Sequence, residues 1–153
     1  MVRFKNRWFL VEFIVVSRES SAPLDGKQIH AALRQSIISN FGDAGWGAVG
    51  MALTIKYFSP TTNICIIRVA RDQHNLAWGA ITLLTNVNSI RVIPHVVHVS
   101  GTIKHTQLAA IRHNREVVAR FRARAKTPAS YHAQDSYEPY LVQSTREIET
   151  LQD

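Results

Sequence analysis

Seven bases fall between Gly101 and Lys126: Lys104, Arg112, Arg115, Arg120, Arg122, Arg124 and Lys126, against a single acid, Glu116. Long cationic side chains on one segment suit the phosphates of a nucleic acid, because each neutralised phosphate releases condensed counterions. His105 and His113 add donors, and Leu108, Ile111 and Val118 offer an apolar stripe to dock the segment as a helix. A second set lies near the start, where Arg3, Lys5 and Arg7 alternate; in an extended chain all three project from one face. Two plainer readings compete: a solvated helix face for the first set, and an edge strand charged against aggregation for the second.

Other chemistry is poorly served. Gly45, Gly47 and Gly50 spell G-x-G-x-x-G, but the stretch follows a helical pattern and enters a strand-like one. A dinucleotide fingerprint needs the reverse context, with a helix N-terminus facing the pyrophosphate. Gly42 is expected as a helix C-cap and the other glycines as turn or bulge positions. The seven histidines are scattered, with no thiol or carboxylate cluster beside them, so no zinc site is expected. Cys65, the single cysteine, sits in an apolar run and excludes an intramolecular disulfide. Carboxylates before residue 127 are few, and Asp25 and Asp72 read as helix caps, which leaves too little for a two-metal nuclease. No catalytic residue, cofactor or metal ligand is assigned.

The elements that must position the bases follow from periodicity. Residues 3–16 form a long strand with apolar side chains on both faces, Phe9, Val11, Phe13 and Val15 on one and Trp8, Leu10, Ile14 and Val16 on the other. That is more apolar surface than two helices cover, so Phe9, Val11 and Phe13 are expected at a protein interface. Ile29, Ala32, Leu33, Ser36, Ile37 and Phe41 give a helix over about 25–41; 42–50 is a glycine-rich loop; 51–58 and 64–70 make a hairpin around Ser59–Asn63. A second helix spans about 72–85, with Leu76, Ala80, Leu83 and Leu84 on one stripe. Residues 89–99 make a fourth strand, which Pro94 places at an edge or bulge. The basic helix runs from Thr102 to about Ala125. The order β-α-β-β-α-β plus a helix is that of an α+β, ferredoxin-like (RRM-like) sandwich, an arrangement that hosts many activities.

Charge divides the chain. Residues 1–126, one folded domain, carry seventeen bases and six acids, whereas 127–153 hold Arg146 against Asp135, Glu138, Glu147, Glu149 and Asp153. A net +11 domain suits a polyanion: RNA, DNA or an anionic membrane surface. The acidic stretch is expected as a mobile or loosely docked tail. Apolar residues make up 46% of the chain, enough for a real core, and no run approaches the roughly 20 needed to span a bilayer. The strand Ile64–Ala70 holds no aromatic, where an RNA-recognition module carries the rings that stack bases. Recognition of folded RNA by shape and phosphate fits better.

Met1-Val-Arg-Phe-Lys-Asn-Arg-Trp8, Lys56-Tyr-Phe-Ser59 with the glycines before it, Ile66-Ile-Arg68 and His98-Val-Ser-Gly-Thr-Ile-Lys104 resemble signatures of the Pop-five protein family of ribonuclease P and RNase MRP. The resemblance covers about residues 1–125 in the right order; Trp8 stands where tyrosine is usual, and the acidic tail aligns with nothing. It implies a non-catalytic subunit of both ribonucleoproteins, supporting 5′ maturation of precursor tRNA and processing of ribosomal RNA. The RNA would be the catalyst and magnesium would serve it. A TIM-barrel-like companion subunit, other proteins of the two assemblies, and a nuclear and nucleolar location are implied too. Arg3, Lys5, Arg7, Lys104, His105, Arg112, Arg115, Arg120 and Arg122 would hold phosphates. The rivals are a ferredoxin-like protein-interaction module and a small ribosomal or generic structured-RNA-binding protein.

Overall fold

A strand that is apolar on both faces belongs in the middle of a sheet covered on both sides, and the first strand occupies that place. In the computed structural model, which describes residues 5–18 and 23–153, β1 (Asn6–Arg18) is flanked on each side. It pairs antiparallel with β3 (Ile64–Ala70), from Asn6 opposite Ala70 to Glu12 opposite Ile64. On its other side lies β5 (Ile90–Ser100), also antiparallel, from Trp8 opposite Ser100 to Arg18 opposite Ile90. Strand β2 (Thr54–Ser59) borders β3, and a short β4 (Asn86–Val87) borders the start of β5, so the five strands run β2-β3-β1-β5-β4. Asn88 and Ser89, both at positive φ, turn β4 into β5; a strand was expected over 89–99 and none at 86–87. The Val92 N–H still donates to the Thr85 carbonyl at 3.0 Å; beyond Val92 no further strand pairs with the outer side of β5 among the described residues, and Pro94 sits there, at an edge as expected.

One face of the sheet packs on α1 (Gly26–Val49) and α2 (His74–Thr82), preceded by a 3-10 turn at Arg71–Gln73. Phe9, Val11 and Phe13 lie there in the main core with Ile29, Leu33, Ile37, Ala77 and Ile81. They are 0%, 0% and 1% exposed, so the expected partner interface at Phe9, Val11 and Phe13 is corrected: these side chains are spent on the protein's own core. The other face is closed by α3 (Ile103–Arg124) and α4 (Tyr137–Glu149), and Trp8, Leu10, Ile64 and Ile66 are buried against Ala109, Ala110 and Ile148.

The acidic C-terminal segment therefore carries a docked helix, where a mobile or loosely docked tail was expected. Ile148 is fully buried, and Gln107 Nε2 of α3 donates to the carbonyls of Ile148 and Leu151, each at 2.9 Å. Helix α1 also departs from expectation. It bends at Gly42 (φ 74°, ψ −177°) and continues helically to Val49, so Gly45 and Gly47 lie in a helix and not in turns. Gly42 does end the first segment. The second folds back, bringing Gly45 close to Ile37 and setting Trp46 against His30 and under Arg34. Asp25 is the N-cap residue of α1 without a side-chain cap bond, and Asp72 falls inside the 3-10 turn, so neither carboxylate caps as expected.

Candidate nucleic-acid interface

Antiparallel pairing decides which bases meet. Because Trp8 lies opposite Ser100, the beginning of β1 and the end of β5 share one end of the sheet, and α3 starts there. Thr102 caps α3, its Oγ1 accepting from the His105 N–H at 3.4 Å, while Ser100 Oγ accepts from the Thr102 N–H at 3.1 Å. The Arg7 guanidinium lies over the turn between them. A side-chain carbon at Gly101 would come within 3.2 Å of Arg7 Nη1, so glycine leaves the room that this arginine fills. Nη1 also donates to the Asn6 carbonyl at 3.2 Å. Lys5, Arg7, Lys104 and His105 thus stand at one end of the sheet, with Lys5, Lys104 and His105 exposed. Arg3 lies outside the described residues.

Arg71 joins this end unforeseen. Its N–H donates to the Lys5 carbonyl at 2.9 Å, continuing the β1–β3 ladder, and its side chain pairs with Asp72 at 3.5 Å in the open. The signal was present in the sequence: once β3 pairs with β1, the residue after β3 must sit beside the residue before β1.

Along α3 the bases separate. At about 100° per residue, Arg115, Arg112 and Arg120 spread over roughly 140° of the helix surface. Arg115 borders a groove shared with Glu138 and Glu149 of α4; Arg112 points outward; Arg120 lines a different groove with Glu12, Ile14 and Phe121. All three are exposed, and none forms an ion pair among the described residues.

Arg122 is already engaged. Its Nε donates to Asp135 Oδ2 at 2.7 Å, and Nη2 donates to Asp135 Oδ1 at 3.0 Å, to Glu138 Oε2 at 3.3 Å and to the His132 carbonyl at 2.9 Å. The bidentate bond holds the Asp135 carboxyl below its ordinary value and raises the guanidinium. Arg122 is withdrawn as a phosphate ligand: it fastens the chain leading into α4. His113 is likewise turned inward, 6% exposed, with Nε2 3.6 Å from Glu12 Oε2; burial keeps it below the ordinary histidine value. The docking stripe of α3 is Thr106, Ala110, His113, Asn114, Val117 and Val118, and Leu108 is 55% exposed. Of the expected stripe, Val118 is buried and Ile111 packs against the second core, while Leu108 is not used; periodicity found only part of the stripe because half of it is polar. Asn114 is used in a buried hydrogen bond, its Oδ1 accepting from Thr62 Oγ1 at 2.8 Å.

Comparison with known proteins places this geometry in a lineage. A profile of the Rpp14/Pop5 family matches residues 7–111. The ribonuclease P/MRP protein subunit POP5 of Schizosaccharomyces pombe is 39% identical over 127 residues, covering 77% of this chain and 91% of that protein. The human subunit of the same name is 29% identical over 119 residues, 75% of this chain and 73% of that one. A chain in the cryo-EM structure of yeast ribonuclease MRP superposes with a TM-score of 0.55 over 78% of this chain and 98% of that chain; at 10% identity the likeness is one of fold. The matched span runs from Arg7 on β1 through Gly101 to Ile111 on α3, the stretch that builds the shared basic end, and on it the chain belongs to the Rpp14/Pop5 family.

Proposed function

We propose that this protein is a non-catalytic subunit of ribonuclease P and RNase MRP that binds and stabilises their RNA by its phosphates. The observation that carries the reading is the approach of Arg7 to the Gly101 turn, which makes one basic surface of two sequence clusters. Its members are Lys5, Arg7, Arg71, Lys104 and His105, continued along α3 by Arg112 and Arg115. The chain's family and its curated relatives, named as subunits of ribonuclease P/MRP, support the assignment. In this reading the RNA is the catalyst and magnesium serves the RNA. The work is 5′ maturation of precursor tRNA and ribosomal RNA processing, in the nucleus and nucleolus.

Two finer statements belong to the same reading. The order β2-β3-β1-β5 with every pair antiparallel supports a ferredoxin-like classification, to which β4, α3 and α4 are additions. The protein partner is a TIM-barrel-like companion subunit. With Phe9, Val11 and Phe13 buried, the apolar sheet surface left for it is Ile14, Val16 and Ile93, which are exposed and of which Ile14 and Ile93 are register partners.

The test is the salt dependence of affinity for ribonuclease P RNA. Replacing Lys5 and Arg7 by alanine should flatten log K against log salt by roughly 0.7–0.9 for each phosphate no longer neutralised, without altering preference among sequences. An unchanged slope would remove phosphate binding from this end of the molecule.

A further inference from the structure

Trp78 is an aromatic side chain whose exposure the fold does not explain. Of the three tryptophans, Trp8 is fully buried and Trp46 is half-buried, with Arg34 over its ring and His30 edge-on to it, yet Trp78 on α2 stays 40% exposed. It is held firmly all the same. Its ring meets Phe9 edge-on, with centroids 5.8 Å apart and planes at 75°, and Phe9 is itself immobilised in the core. Phe9 and Arg7 are two apart on β1, so their side chains leave the same face of the sheet about 7 Å apart along the strand. The fixed indole therefore lies on the side of the sheet where the Arg7 cation sits over Gly101, at the end that also carries Lys5 and Arg71.

A rigid, half-open aromatic next to cations is the arrangement that receives a nucleobase while its phosphate is neutralised. We propose that Trp78 is a stacking platform for one unpaired nucleotide of the bound RNA, whose flanking phosphate meets Arg7. The site lies off the sheet: the strand that bears stacking rings in an RNA-recognition module, Ile64–Ala70, has none here, and α2 supplies the ring in its place. Any base presents a π-face, so the platform discriminates unpaired from paired RNA and not one base from another. The proposal rests on the phosphate-binding reading above but makes a separate demand, since stacking carries no net charge and leaves the salt slope alone.

The experiment compares a short single-stranded oligoadenylate with an RNA duplex of equal length, following both affinity and tryptophan fluorescence. All fluorescence comparisons are made in a Trp46→Phe background, because Trp46 is half-buried; oligoadenylate should quench the emission of this protein, whose Trp8 is out of reach. Trp78→Leu should weaken oligoadenylate binding roughly 5- to 100-fold, abolish the quenching, and leave both duplex affinity and the salt slope unchanged. Trp78→Phe should retain most of the affinity while losing the quenching. Because leucine could unsettle Phe9, circular dichroism accompanies each variant, and the Trp78→Phe fluorescence decides if the leucine protein does not fold. Native oligoadenylate affinity in a folded Trp78→Leu protein, or quenching that persists in Trp78→Phe, overturns the platform. If the Lys5 and Arg7 variants keep the native slope while quenching still depends on Trp78, the platform stands and the phosphate reading is the one that fails.

Discussion

At the scale of single residues, ion pairing separates the arginines of α3. Arg112, Arg115 and Arg120 are exposed and form no ion pair among the described residues, whereas the Arg122 guanidinium is committed to Asp135, Glu138 and the His132 carbonyl. Arg122→Ala should therefore leave the salt slope of RNA affinity near native and instead loosen residues 129–149, seen as faster amide exchange there. The pH dependence has a definite sign. Asp135 titrates lower in the folded chain than its ordinary value of 3.8, so its pairing stabilises the fold fully above that value. The contribution is lost as pH falls through the depressed folded value, and the Arg122→Ala protein should lack it at neutral pH already. A salt slope that falls in Arg122→Ala, as is expected for Arg7→Ala, would return this residue to the proposed RNA surface.

Elements show where sequence reasoning reaches and where it stops. The strand Ile64–Ala70, the basic helix from Thr102 and the edge position of Pro94 were legible, because period and proline chemistry are local properties. The fold-back of α1 was not. Its second segment is short, and Gly45, which signals a loop by composition, is here required by close packing, with Phe41 Cβ only 2.7 Å from where its side chain would begin; Gly47 has open space around it. Gly42 itself adopts φ 74° with ψ −177°, a region that other residues avoid, yet nothing lies within 4 Å of its missing side chain. Gly42→Ala should thus cost about 1–3 kcal/mol through the backbone alone, measured as a lower denaturant midpoint. Helix α4 escaped notice because its apolar residues are sparse and its acids suggested solvent; burial of Ile148 depends on a sheet face formed far away in sequence. Ile148→Ala should lower stability by about 2–5 kcal/mol, and an effect under about half a kcal/mol would mean α4 contributes little to the second core. The candidate site was half legible: Lys5, Arg7 and Lys104 could be named from spacing, but that they share one end with Arg71 follows only from strand register.

For the molecule as a whole, the two faces of the sheet are closed unequally. Helices α1 and α2 bury their face thoroughly, while α3 and α4 leave Ile14 at 45%, Val16 at 54% and Ile93 at 54% exposure. These three are the apolar surface a companion subunit would use, so Ile93→Glu should weaken that complex in gel filtration without reducing RNA affinity of the isolated protein. Loss of RNA binding with the complex intact would invert the assignment.

The central position of β1 has a consequence in time. Trp8 pairs with Arg68 on one side and with Ser100 on the other, so during synthesis β1 waits for partners about 60 and 90 residues later. Until both arrive, a segment with Trp8, Phe9, Leu10, Val11 and Phe13 in sequence has two bare edges and two bare faces. Long-range closure of this kind is slow, and the waiting strand is prone to join a neighbouring chain. The same centrality that organises the finished fold should make newborn chains depend on chaperones, and their yield should rise when synthesis is slowed by cold.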